Sequence, residues 1–168
     1  SFASLNGMGD RVLTLNSFSK TYAMTGWRLG YVIANEEIIN EMVKPHQSSV
    51  TCAPAFVQKA GVEALKGDQS PVRKMVGEYK KRRDLIMKTF DQIGINYVKP
   101  GGTFYIFPST KKWGNSMEVV NKLLSMGIAT TPGIAFGDDG HIRLSYATSE
   151  SDVEESLKIL RKLVGSKH

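Results

Sequence analysis

At 168 residues, with 41% hydrophobic and 23% charged side chains, the chain has the size and balance of a globular domain with a real core. Its net charge is +6, but the basic residues are scattered, and the densest run, Lys80-Lys81-Arg82-Arg83, lies in a helical pattern where it reads as a solvated face. Without aromatic–basic interleaving or zinc-finger spacing, that charge predicts no nucleic-acid partner. The single cysteine, Cys52, excludes an intrachain disulfide and a multi-cysteine metal site, and it favours a reducing compartment, taken as the cytoplasm. No apolar run approaches the roughly twenty residues that span a bilayer, so no membrane role is expected. Ser1-Phe2-Ala3-Ser4 carries neither an initiator Met nor a signal-peptide pattern, and the expectation is a chain that begins inside a longer protein.

In chain order, Arg11 to Leu15 alternates and is rich in β-formers, and Leu29 to Ala34 is almost continuously apolar, the pattern of a strand buried on both faces. The polar stretch between them, Asn16 to Arg28, occupies the strand end where α/β folds place their sites. Asn35-Glu36-Glu37 predicts a helix start with Asn35 as its cap, and Pro45 is expected to stop that helix. A second helix is predicted from about Pro54 through Leu65, ending at Gly67. The longest follows Pro71, where Val72, Met75, Val76, Tyr79, Ile86, Phe90 and Ile93 keep a three-or-four spacing and Gly94 closes the run. That Met and aromatic stripe reads as core packing.

Downstream, Tyr97-Val98 and Thr103 to Phe107 read as strand pieces around Pro100-Gly101-Gly102. Met117 to Met126 reads as a helix capped by Ser116. Ile128 to Thr131 and His141 to Tyr146 read as strands separated by the Gly-rich Pro132 to Gly140. An amphipathic helix carrying Val153, Leu157, Leu160 and Val164 ends the chain. His46, His141 and His168 have no metal-ligand spacing, and no metal is expected.

Between Ser17 and Gly30, two serine hydroxyls, an amine and a guanidinium converge in a strand-to-strand connection. Arginine supplies a permanently charged fork suited to phosphate, and a lysine amine can attack a carbonyl. The same residue types also suit a polar loop with an ordinary exposed lysine, and spacing alone leaves both readings open.

The run Ser17-Phe18-Ser19-Lys20, followed by Gly26-Trp27-Arg28-Leu29-Gly30-Tyr31, resembles the cofactor-lysine signature of fold-type I pyridoxal-phosphate enzymes, in the class I/II, aspartate-aminotransferase-like group. Pro100-Gly101-Gly102-Thr103-Phe104-Tyr105, Pro132-Gly133-Ile134-Ala135-Phe136-Gly137 and His141-Ile142-Arg143-Leu144-Ser145-Tyr146-Ala147 resemble later family segments in the same order, so the likeness covers essentially the whole chain. The resemblance implies an α/β fold. Residues 1–70 would be the C-terminal edge of the cofactor-binding large domain, and 71–168 a long connecting helix with the small C-terminal domain. It further implies that Lys20 holds pyridoxal 5′-phosphate as a Schiff base and shuttles the Cα proton, that Ser17 and Arg28 bind the cofactor phosphate, and that Arg143 takes the substrate's α-carboxylate. Tyr22, Trp27 and Tyr105 read first as packing residues.

The implied function is amino-group transfer between an amino acid and a 2-oxo acid, in a full-length homodimer. A C–S lyase, a cyclising lyase and a non-catalytic ligand-sensing domain are the alternatives on the same scaffold. The family's glycine-rich phosphate loop, ring-stacking aromatic and pyridine-binding Asp precede its lysine. Here Asp10 is the sole acid before Lys20 and matches no such motif, so little turnover is expected of these residues alone.

Overall fold

The computed structural model describes residues 1–165 and divides the chain into two compact units, Ser1–Arg73 and Lys74–His168. Each has its own apolar core.

In the first unit, β1 (Thr14–Ser17) and β2 (Gly30–Ile33) pair antiparallel, with Thr14 opposite Ile33 and Ser17 opposite Gly30. The one-turn helix α1 (Phe18–Thr21) follows β1 directly. Helix α2 (Glu36–Ser49) starts as its sequence signals, the Asn35 side chain accepting the Ile38 N–H at 2.9 Å with Glu36 and Glu37 in the first turn. It does not stop at Pro45. The ring removes one backbone donor, and the helix runs on for another turn to Ser49.

Helix α3 (Ala55–Lys66) fits the expected range, but Gly67 ends it in an extended rather than a left-handed conformation (φ −73°, ψ −174°). Phe18, Met24 and Val57 are the buried apolar residues here, and α3 turns Gly61 toward them. A Cβ at Gly61 would meet Leu29 at 2.5 Å and Phe18 at 3.3 Å, so this glycine permits the close approach.

The expectation of a strand buried on both faces is not met. Among the described residues β2 has only β1 beside it, and Leu15 and Ile33 are 69% and 60% exposed. An apolar run reports that a strand can be covered; it does not supply the layer that covers it.

The second unit is built on α4 (Ser70–Ile93), which begins in the first unit and lies mostly in the second. Of its stripe, Ile86 and Phe90 are buried and Val76 is 60% exposed. Gly94, at φ +69°, ends the helix, and the Ile95 N–H closes back on the Phe90 carbonyl. The basic run on α4 is not wholly solvated. Arg83 donates to Asp84 and to the Pro100 carbonyl, and its side chain is 19% exposed.

Three short strands form an antiparallel sheet in the order β3 (Tyr105–Ile106), β5 (Ile142–Ser145), β4 (Thr131–Pro132). The ladders are shorter than the β-rich runs suggested. Tyr97 and Ser109 join by single bridges, to Pro108 and His141, and Ile128 to Thr130 lie outside β4.

Helix α5 (Ser116–Ser125) is capped by Asn115, not Ser116. The Asn115 side chain accepts from the Glu118 N–H while Glu118 accepts from the Asn115 N–H. Ser116 is instead fully buried and donates to Asp139 at 2.5 Å. Helix α6 (Glu150–Gly165) buries Val153, Leu157, Leu160 and Leu163, and Val164 is partly buried beside them. Together with Ile86, Phe90, Ile106, Leu123 and Ile142 they make the core of this unit. His168 lies outside the described residues.

Candidate active site

The Ser17–Gly30 connection is a folded loop with its own hydrogen bonds. Ser17 ends β1 and caps α1, its hydroxyl oxygen accepting the Ser19 N–H at 3.1 Å. Phe18, 3% exposed, points into the core against the Tyr22 and Tyr31 rings, both at 5.5 Å, and its N–H donates to the Leu29 carbonyl. That leaves Lys20, two residues on in the helical turn, exposed. The Thr25 hydroxyl donates to the Ser19 carbonyl at 2.9 Å, tying a 3₁₀ turn (Thr25–Trp27) back onto α1.

Arg28 follows in the left-handed region at φ 53°, ψ 46°, a conformation that costs a non-glycine residue about 1 kcal/mol or more. Its guanidinium donates to the Thr25 carbonyl at 2.9 Å. Gly30 then admits the β1 backbone, since a Cβ there would lie 2.9 Å from the Asn16 carbonyl oxygen. A backbone outlier held by its neighbours, carrying a charged fork, is the kind of strain that collects at functional positions. The expected residues Ser17, Lys20 and Arg28 are thus brought into one loop.

Arg143 belongs to the other unit, on the central strand β5. It is half-buried and does not wave from the surface. Its guanidinium donates to the Thr131 hydroxyl at 3.2 Å, across the β4–β5 register that sets the two residues opposite each other. The guanidinium carbon sits 4.4 Å from the Tyr105 ring centre and 4.9 Å from that of Phe136. Such a cation is oriented and partly dehydrated yet retains N–H donors for a planar anion. Nearby, His141 Nδ1 lies 2.8 Å from Asp138, and this close contact, with the Gly140 N–H, holds the Asp138 carboxyl below the usual carboxylate range. Among the described residues no cluster of His, Cys, Asp or Glu could hold a metal.

The family model for class I and II aminotransferases matches residues 3–160. The chain belongs to that family. The probable aspartate aminotransferase of Methanocaldococcus jannaschii is 44% identical over 162 residues, which are 92% of this chain and 43% of that protein. The aspartate aminotransferase of Pyrococcus abyssi is 43% identical over 173 residues, covering 99% of this chain and 44% of its own. The solved aromatic aminotransferase of Pyrococcus horikoshii superposes with a TM-score of 0.91 at 42% identity, over 98% of this chain and 46% of that one. The α/β fold expected from sequence is therefore the aminotransferase fold, and the chain spans a little under half the length of these relatives.

Two features of this aminotransferase chain escaped the sequence reading. Phe136 reaches Arg143 from the glycine-rich loop before β5, and Thr131 reaches it from β4; neither is near it in sequence. Tyr105, read as a packing residue, does pack, and the surface it covers is the arginine. The alternation of Tyr105 and Phe107 around buried Ile106 was the available signal.

Proposed function

We propose that this chain is the C-terminal portion of a pyridoxal-phosphate-dependent aminotransferase that moves an amino group between an amino acid and a 2-oxo acid. Residues 1–70 are the edge of its cofactor-binding domain, and 71–168 its connecting helix and small domain. The observation that carries the reading is the Ser17–Arg28 loop, in which a lysine, a serine hydroxyl and a guanidinium are folded together by local bonds.

Those residues fit the cofactor. The Ser17 oxygen accepts a backbone N–H, which leaves its own hydrogen to donate to a phosphate. Arg28 has one N–H on a carbonyl and a fork that offers more. When bound, pyridoxal phosphate supplies an aldehyde for amines to condense with and a ring that accepts electron density from the substrate Cα. Lys20 would supply the amine that attaches it and the base that moves the proton at Cα. Ser17 and Arg28 fix the phosphate end. Arg143 would bind the α-carboxylate of the substrate through its paired N–H donors.

Relatives named for aspartate and for aromatic amino acids make these the first substrates to try. A homodimer suits the exposed Leu15, Ile33 and Phe56 of the first unit, surface that further chain or a second subunit would cover. The cytoplasm suits Cys52, an exposed free thiol, and no helix among the described residues is long and apolar enough to cross a membrane. Product analysis of the full-length enzyme with aspartate, tyrosine and cysteine conjugates tests the assignment. The expected product is the matching 2-oxo acid, formed only with an amino acceptor. Release of ammonia, thiol or a cyclised product instead would refute it. The 168 residues alone, lacking an assignable partner for the pyridine nitrogen, should turn over negligibly.

A further inference from the structure

The sheet of the second unit has two unlike faces. Ile106 and Ile142 point into the core, so by alternation Tyr105, Phe107, His141 and Arg143 share the opposite face. On that face the contacts are continuous. The Asp138 carboxylate lies 2.8 Å from His141 Nδ1, and the His141 ring lies on Phe107 with centroids 5.2 Å apart and planes 9° from parallel. Phe107 meets Phe136 edge to face at 6.1 Å and 85°, and Phe136 lies against the Arg143 guanidinium at 4.9 Å.

The loop that carries Phe136 is closed on the same residues. The Gly133 N–H donates to the His141 carbonyl at 2.9 Å, and the Asp138 N–H donates to the Gly133 carbonyl at 3.1 Å. His141 therefore touches the arginine's surroundings twice, through its ring and through its backbone.

We propose that His141 is a positioning residue for Arg143. Stacked flat on Phe107, the imidazole fixes that ring, and Phe107 sets the Phe136 ring against the guanidinium, so that the N–H edge anchored at Thr131 is presented to a carboxylate. A flat ring serves this better than an aliphatic side chain, because it stacks face to face on Phe107 and so holds it in one setting. The inference rests on the reading of Arg143 as the carboxylate clamp.

Steady-state kinetics of the full-length, cofactor-loaded enzyme, for an amino acid and its 2-oxo acid, test it. His141→Ala should raise both KM values about tenfold and leave kcat within about twofold, since the lost alignment serves ground and transition states alike. His141→Phe keeps a flat ring on Phe107 and should bring KM back to within about threefold of the parent. A His141→Ala enzyme that melts earlier but binds substrate normally would overturn the proposal. Should His141→Ala not fold, His141→Phe decides: a KM raised about tenfold or more overturns it, and a value within about threefold upholds it. Arg143→Lys separates the two levels. If that change leaves KM unaltered, the clamp reading itself fails; if it raises KM while His141→Ala does not, only the positioning role fails.

Discussion

Gly133→Ala should unfold the second unit far more easily than its size suggests. A methyl group at position 133 would fall on the carbonyl oxygens of Asp138 and His141, and 2.9 Å from the His141 carbonyl carbon. These are backbone atoms, so no rotamer change relieves the overlap. The loop must open, and with it the two hydrogen bonds from the Gly133 and Asp138 N–H groups. Two such bonds are worth about 1 kcal/mol each, and overpacking adds about 1–3 kcal/mol, so the loss should be about 3–5 kcal/mol. Gly137→Ala is the control. Its φ of +83° imposes a left-handed penalty of about 1–2 kcal/mol, yet nothing lies within 4 Å of an added Cβ. Urea unfolding followed by Trp113 emission in a Trp27→Phe background reports the second unit directly. A Gly133→Ala loss under about 1 kcal/mol, or one no larger than the control, would refute the claim that the loop is locked by its backbone.

Phe18→Ala should cost the first unit about 3–5 kcal/mol, as expected for a large ring buried to 3%, read by urea unfolding on Trp27 emission in a Trp113→Phe background; a loss under about 1 kcal/mol would contradict its role as the pin of the lysine loop. Arg28→Lys replaces a fork by a point charge and should weaken pyridoxal phosphate binding about tenfold while leaving phosphate-free pyridoxal unaffected; equal losses for both would remove Arg28 from the phosphate site. The Asp138 carboxyl is held low in the folded chain, so its stabilising contribution is present above its unfolded value of about 3.9 and is lost as the pH falls through the lower folded value. Asp138→Asn should therefore flatten the acid limb of the stability curve below about pH 4, and an unchanged limb would show that the His141 contact is not kept in solution.

What was legible in the sequence was mostly local. Asn35 caps α2, the stripe of α4 buries Ile86 and Phe90, and Gly94 takes a positive φ, because each of these depends on residues within a turn or two. The lysine loop was legible as a motif, and its geometry makes physical sense of it: Phe18 goes inward and Lys20, in the same turn, stays out. Pro45 misled because a proline removes one donor but does not forbid a helix from continuing past it. Ser116 misled because serine and asparagine are both good caps, and the choice fell to Asn115 once Asp139 engaged the serine hydroxyl. The surroundings of Arg143 were hidden for a different reason. Tyr105, Thr131 and Phe136 reach it across strand pairings and a closed loop, and register of that kind is a tertiary property.

Lys20 is proposed to be the residue that binds the cofactor covalently. Incubation of the full-length enzyme with pyridoxal phosphate, borohydride reduction and peptide mapping test it most directly. A single phosphopyridoxyl label is expected, on the peptide containing Ser19-Lys20-Thr21, and it should be lost in Lys20→Ala. A label of equal yield on any other lysine, or one that survives Lys20→Ala, would contradict it.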